Sequence, residues 1–149
     1  MYTMEEFDNQ KTKVLKYILY KKRSEQEVRT KFEKVIDEDM LDDIIEYLKE
    51  AGYINDKEYI EKAVNNFMNL KNLSMKELQY KLMAKGLDRD DIEDYFYENR
   101  EMLQDYEIKS AKNMLIKKES DMEASELIQY LLKKGYKLEN IKKALEEES

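Results

Sequence analysis

The 149-residue chain contains no cysteine, no histidine, no proline and no tryptophan, and only three glycines. Without cysteine there is no disulfide framework and no thiolate to bind a metal or attack a substrate. Without histidine the commonest general base and the imidazole ligand are gone. Gly52, Gly86 and Gly135 stand singly, so no glycine-rich loop cradles a phosphate. No apolar run approaches the roughly 20 residues of a membrane span. The opening residues, MYTMEEFDNQ, lack the basic start and apolar centre of a secretion signal. A cytoplasmic protein without membrane association is therefore expected. Carboxylates remain, and Asp39, Asp42, Asp43 and Glu46 are the residues placed for Mg²⁺ or for acid–base work. Acids at a helix start already have a sufficient explanation in the helix dipole. Neither catalysis nor a cofactor nor a metal is expected.

What is present favours helices. Hydrophobic residues make up 42% and charged residues 41%, and both strong helix breakers are scarce or missing. Ser24 with Glu27 is a capping box, in which the serine hydroxyl and the glutamate carboxylate each accept a free backbone N–H at a helix start. Val28 and Phe32 follow at helical spacing, and Leu41, Ile44, Ile45 and Leu48 form a second stripe. The same grammar returns at Ser74 with Glu77, then Leu78, Leu82 and Lys85-Gly86. From Glu123 it returns again, with Leu127, Leu131 and Lys134-Gly135. Ser24, Ser74 and Glu123 lie 50 and then 49 residues apart, a period that marks tandem helical units.

The expected fold is all-α, an elongated array of three tandem three-helix repeats. Residues 1–9 form a frayed lead-in, followed by repeats at 10–54, 55–104 and 105–149. Neighbouring repeats must stack, because each is too small to bury its own apolar face. The first helix is expected over about 10–22, with Val14, Leu15, Ile18 and Leu19 facing the core and Tyr17 buried at a helix interface. The second runs from Ser24 to about Val35. Asn55 with Glu58 and Asp88 with Asp91 read as further caps, Ser120 with Glu123 as a capping box displaced from the repeat register. The segment 98–106 reads either as a boundary or as continuous helix. Of the nine methionines, Met114 is assigned to the core.

Charge is segregated by helix. The net charge of −7 conceals +6 over residues 11–36, −8 over 37–61, +4 over 62–87 and −7 over 88–107. Solvated helix faces account for much of this. The functional reading is a segregated field in which the basic helices wall a groove. Lys16, Lys21, Lys22, Arg23 and Arg29 are the main candidate contacts, with Tyr17 and Tyr20 interleaved among them. Lys71 and Lys76 are secondary ones.

Taken in order, VLKYILYKKRSEQEVRTKF, LKEAGYINDKEYIEKAV, LQYKLMAKGLDRDDI and YLLKKGYKLENI resemble the RecX family of recombination regulators. The resemblance covers about residues 14–145. It implies a curved array of three-helix repeats lying along a RecA filament. Its implied partners are the RecA recombinase and its filament on single-stranded DNA, and its implied effect is restraint of strand exchange, ATP hydrolysis and coprotease activity. DNA repair, recombination and the SOS response are the implied processes. Two departures bear on this. Members are usually basic, whereas this chain is acidic. Where the second repeat commonly carries an arginine-rich helix and turn, this chain reads NNFMNLKNLSMKEL, with only Lys71 and Lys76 as cations. Weak or no direct DNA binding is therefore expected, as is a monomer. A helical-repeat adaptor for some other protein is the alternative.

Overall fold

A computed structural model describes residues 1–148, and their regular structure is all α-helical. In chain order come α1 (Met4–Tyr20), α2 (Glu25–Phe32), α3 (Glu38–Glu50), α4 (Asp56–Met68) and α5 (Met75–Ala84). They are followed by α6 (Arg89–Glu98), α7 (Arg100–Lys118), α8 (Ala124–Lys134) and α9 (Leu138–Glu148). Among the described residues no helix is long and apolar enough to cross a membrane.

The helix starts follow the capping chemistry. Ser24 and Ser74 both complete capping boxes: each hydroxyl accepts the N–H three residues on at 3.1 Å, and Glu27 or Glu77 accepts the serine N–H in return. Asn55 accepts the Glu58 N–H at 3.1 Å. Asp88 caps through the nearer Asp90 N–H, at 2.7 Å, rather than through Asp91. Gly52, Gly86 and Gly135, which follow the last turns of α3, α5 and α8, all have positive φ, as left-handed helix termination requires.

Several expectations are corrected. The first helix starts at Met4, within the segment expected to fray, because the Thr3 side chain accepts the Glu6 N–H at 3.1 Å and Glu5 and Glu6 suit the first turn. Tyr2 and Phe7 pack against the first core cluster, which gives this early turn its apolar anchor. Leu19, placed in the core stripe, is 66% exposed; Val14 and Ile18 carry the buried face instead. α2 stops at Phe32, short of Val35, which is exposed. Ser120 does not cap α8. It lies in the preceding turn, and Glu123 takes the cap position in repeat register without a side-chain hydrogen bond. α6 and α7 are separate helices meeting at Asn99.

The apolar residues gather into three clusters. α1–α3 and Ile54 form the first, with Ile44, Ile45 and Leu48 fully buried. Each such side chain contributes about 1.5–3 kcal/mol of burial free energy. α4–α6 form the second together with Leu103 and Tyr106, and α7–α9 form the third, which includes Met114. α7 thus serves two clusters: Leu103 and Tyr106 face one, Ile108, Ala111 and Leu115 the other. It buries residues over a broad arc, Glu107 and Ser110 among them, and shows no single apolar stripe, the pattern of a helix packed by neighbours on more than one side.

The clusters are joined by one contact used twice. Ser24 Oγ donates to the Lys85 carbonyl at 3.2 Å, and Ser74 Oγ donates to the Lys134 carbonyl at 2.8 Å. The N-terminus of each middle helix therefore meets the Lys-Gly end of the next middle helix, a head-to-tail arrangement of dipoles. At α2 the first free N–H, of Glu25, is accepted by Asp56 at 2.9 Å. At α5 that of Met75 is accepted by Glu107 at 2.9 Å. These acceptors sit at matching places in the repeat.

Candidate interaction surface

The first junction places cations and aromatics together. Tyr17 on α1 is half-buried and meets the Phe32 ring edge-on at 5.6 Å between centroids. The Arg23 guanidinium lies 4.0 Å from the Tyr17 ring centre, and Lys31 Nζ is 5.7 Å from the same ring. Across the junction Lys85 Nζ is 5.8 Å from the Tyr59 ring, and Lys81 Nζ is 5.7 Å from Phe67. A groove of about 610 Å³ runs between Tyr17, Thr30 and Lys31 on one side and Lys85 and Gly86 on the other. A second, of about 330 Å³, is lined by Lys21, Lys22, Lys62 and Lys85 over Tyr59, Ala63 and Phe67. Lys85 borders both.

The candidate contacts divide into free and engaged groups. Lys16 and Lys21 are exposed and make no ion pair among the described residues. Lys22 pairs with Glu58, which also holds Lys62 at 3.5 Å. The Glu58 hydrogen bond raises the Lys22 pKa, and Lys22 lowers that of Glu58 in return. Arg29 is held by Asp42 at 2.6 Å and Glu25 at 3.1 Å, tying α2 to α3. Glu25 also receives Lys49 at 3.1 Å. Burial raises the Glu25 carboxyl, but the Lys49 and Arg29 hydrogen bonds outweigh it and leave the group below the ordinary carboxylate range. Arg29 is a strut between helices as well as a surface cation.

Lys71 and Lys76 lie elsewhere. Lys71 adopts a left-handed φ of 49° in the α4–α5 turn, and its carbonyl accepts the Asn113 amide at 2.8 Å. Lys76 is at the second junction, where its Cβ closely approaches Gly135. The structure therefore groups Lys21, Lys22 and Arg23 with Lys31, Lys62, Lys81 and Lys85, and leaves Lys71 and Lys76 apart. Lys62, Lys81 and Lys85 were not singled out from sequence. For Lys81 a signal was available in the repeat arithmetic, since it recurs 50 residues after Lys31.

On the other side of the Gln26–Gly86 contact lies an acidic cleft of about 570 Å³, bordered by Glu25, Asp56, Asp88 and Asp91 with Lys49 and Lys57. Burial pushes the Asp56 carboxyl above its ordinary range. The Glu25 N–H opposes this, the Glu25 and Asp91 charges add to it, and Lys49 opposes it. A raised folded-state pKa means the native chain holds this proton more tightly than the unfolded chain. The resulting stabilisation is present below the unfolded pKa and is lost as pH rises through the folded one. The stability of the wild type relative to Asp56→Asn is expected to improve as pH falls from about 7 to about 4, measured by urea denaturation. A constant difference, or one moving against the wild type, contradicts this placement of Asp56.

Of the acids considered for metal or acid–base chemistry, Asp42 holds Arg29, Asp43 accepts the Tyr2 hydroxyl and Glu46 pairs with Lys49 at 3.7 Å. Among the described residues no group of three or more acids is arranged to hold a metal ion. What the surface offers is charge, aromatic rings and two grooves, the equipment of recognition.

No family model matches the chain. It is similar to curated proteins named regulatory protein RecX. Against that of Staphylococcus carnosus it is 31% identical over 136 residues, covering 89% of this chain and 51% of the relative. Against that of Clostridium beijerinckii it is 32% identical over 142 residues, covering 91% and 66%. The chain thus spans about half to two-thirds of the length of these relatives. The crystal structure of RecX from Lactobacillus salivarius superposes with a TM-score of 0.80 at 25% identity, covering 97% of both chains. A further crystal structure of a regulatory protein RecX, 19% identical, superposes with a TM-score of 0.77 and shares the fold.

Proposed function

This chain belongs to the RecX family of regulatory proteins, and from that membership we propose that it binds the RecA recombinase and its filament on single-stranded DNA. Binding restrains ATP hydrolysis, strand exchange and coprotease activity during DNA repair and recombination. The action is non-covalent, through a protein built as three helical units that works in the cytoplasm as a monomer. The contact surface is Lys16, Lys21, Lys22, Arg23 and Arg29, extended across the first junction by Lys31, Lys62 and Lys85. Lys71 and Lys76 contribute less, being apart from the groove.

The observation that carries this reading is the coincidence of family with surface. The family is that of a regulator, and Lys21, Lys22, Lys31, Lys62 and Lys85 line two grooves at the first junction. The net charge of −7 favours docking on a protein filament over direct attachment to DNA, whose binding depends on neutralising phosphates.

The test is co-sedimentation with RecA filaments and inhibition of their ATPase by the triple variant Lys21→Glu, Lys22→Glu, Arg23→Glu. Like charges across an interface cost several kcal/mol, so binding is expected to fall at least about 100-fold. Helical content by circular dichroism is expected to persist, because these residues lie at the end of α1 and in the link to α2. Full inhibition by a folded triple variant removes these residues from the site.

A further inference from the structure

The other arginines are satisfied within the chain. Arg29 has Asp42 and Glu25, Arg89 has Glu93 at 2.9 Å, and Arg100 donates to the Tyr97 carbonyl at 2.9 Å. Arg23 is different. Its Nε is buried without a hydrogen-bond partner, and it forms no ion pair among the described residues. Glu27, one turn away on α2, is already engaged, accepting the Ser24 N–H at 3.1 Å and the Tyr59 hydroxyl. The Arg23 Nη atoms also make no hydrogen bond among the described residues yet are not buried, so the open outer edge of the guanidinium calls for a reason.

The setting supplies one. Stacking on Tyr17 orients the guanidinium, and a held planar fork is suited to a carboxylate gripped by two parallel hydrogen bonds. Lys31 and Lys85 border the adjoining groove, adding positive potential. Beyond Lys85 the second groove has an apolar floor of Tyr59, Ala63 and Phe67. Charge and apolar surface therefore lie side by side, as an acidic segment with apolar side chains requires.

We propose that Arg23, stacked on the groove-lining Tyr17, is the carboxylate-reading residue at the edge of a docking groove for an acidic, partly apolar peptide segment of a protein partner. A carboxylate enters the Arg23 fork between Lys31 and Lys85, and a neighbouring apolar side chain lies on the Tyr59–Phe67 floor. This rests on the reading of the chain as a protein-binding regulator, and it names the chemistry the partner presents. A nucleic-acid strand fits less well. Glu27 and Glu58 border this region and the chain carries a net charge of −7, which opposes a continuous row of phosphates more than it opposes isolated carboxylates.

The test uses the full chain and a fluorescein-labelled peptide of alternating Glu and Leu, read by fluorescence anisotropy at physiological salt. The Gln–Leu peptide and labelled oligo-dT are measured in parallel. The Glu–Leu peptide is expected to bind and the Gln–Leu peptide to bind at least tenfold more weakly. Arg23→Lys, which keeps the charge and loses the fork, is expected to weaken Glu–Leu binding about tenfold or more at an unchanged thermal midpoint. Absence of Glu–Leu binding, unchanged affinity in Arg23→Lys, or tighter binding of oligo-dT than of the peptide overturns the proposal. Filament co-sedimentation is scored separately. A wild type that binds the peptide but not filaments removes the RecA reading and keeps the groove; one that binds filaments but not the peptide does the reverse.

Discussion

Replacing Glu107 with alanine is expected to destabilise the chain by about 3–5 kcal/mol, among the largest losses available to a single polar substitution here. Glu107 is fully buried, yet among the described residues no cation neutralises it in an ion pair. Its carboxylate accepts the Met75 N–H at 2.9 Å, the Lys137 N–H at 3.3 Å and the Asn140 side-chain amide at 2.5 Å. Those donors belong to the starts of α5 and α9, so one side chain on α7 fastens two other helices. Alanine leaves all three without this acceptor at a buried position, and adds a cavity. Glutamine is expected to cost less, about 1–2 kcal/mol, since its carbonyl at the Oε2 position keeps the Lys137 and Asn140 bonds while its NH₂ group faces the Met75 N–H. Urea denaturation measures both. At this chain length the alanine variant should melt about 10–15 °C lower. A loss below about 1 kcal/mol contradicts the assignment of Glu107 as the central fastening of the second junction.

The second large effect is expected at Gly86, and Gly52 provides its control. Both have left-handed φ, 79° and 84°. Alanine in that conformation costs roughly 1–2 kcal/mol from backbone sterics. At Gly52 that is the whole cost, because an added Cβ meets nothing within 4 Å. At Gly86 the Cβ falls 2.4 Å from Gln26 Cγ and 2.6 Å from Gln26 Cβ, so α2 and α5 must also separate at the first junction. Overpacking adds about 1–3 kcal/mol. Gly86→Ala should therefore be the more destabilising by that margin, and shortening Gln26 to alanine in the same chain should recover part of it. Equal losses at the two positions are the outcome that rules out close packing as the role of the Lys-Gly end.

These two sites show where sequence reasoning carries and where it stops. Helix caps and ends are local, so Ser24, Ser74, Asn55 and the three glycines could be read from neighbours within a turn. The all-α class and the repeat spacing rest on the same local signals. The start of α1 was missed because Thr3 caps a turn whose apolar support, Tyr2 and Phe7 on the first cluster, comes from contact with α3 across the fold. The role of Glu107 was invisible for the same reason, since its donors are about 30 residues away in each direction. At the candidate surface, sequence supplied the cations but not their partners. Arg29 and Lys22 look alike in a charge count, yet Asp42 and Glu58 engage both. Arg23 lacks such a partner, a difference decided wholly by tertiary placement.

The proposed regulation of the recombinase filament is read out by the ATPase rate of the host RecA on single-stranded DNA. The rate is followed as this chain is titrated in at near-physiological salt. Inhibition is expected at substoichiometric ratios of chain to RecA. An unchanged rate, together with no co-sedimentation of the chain with filaments, contradicts it.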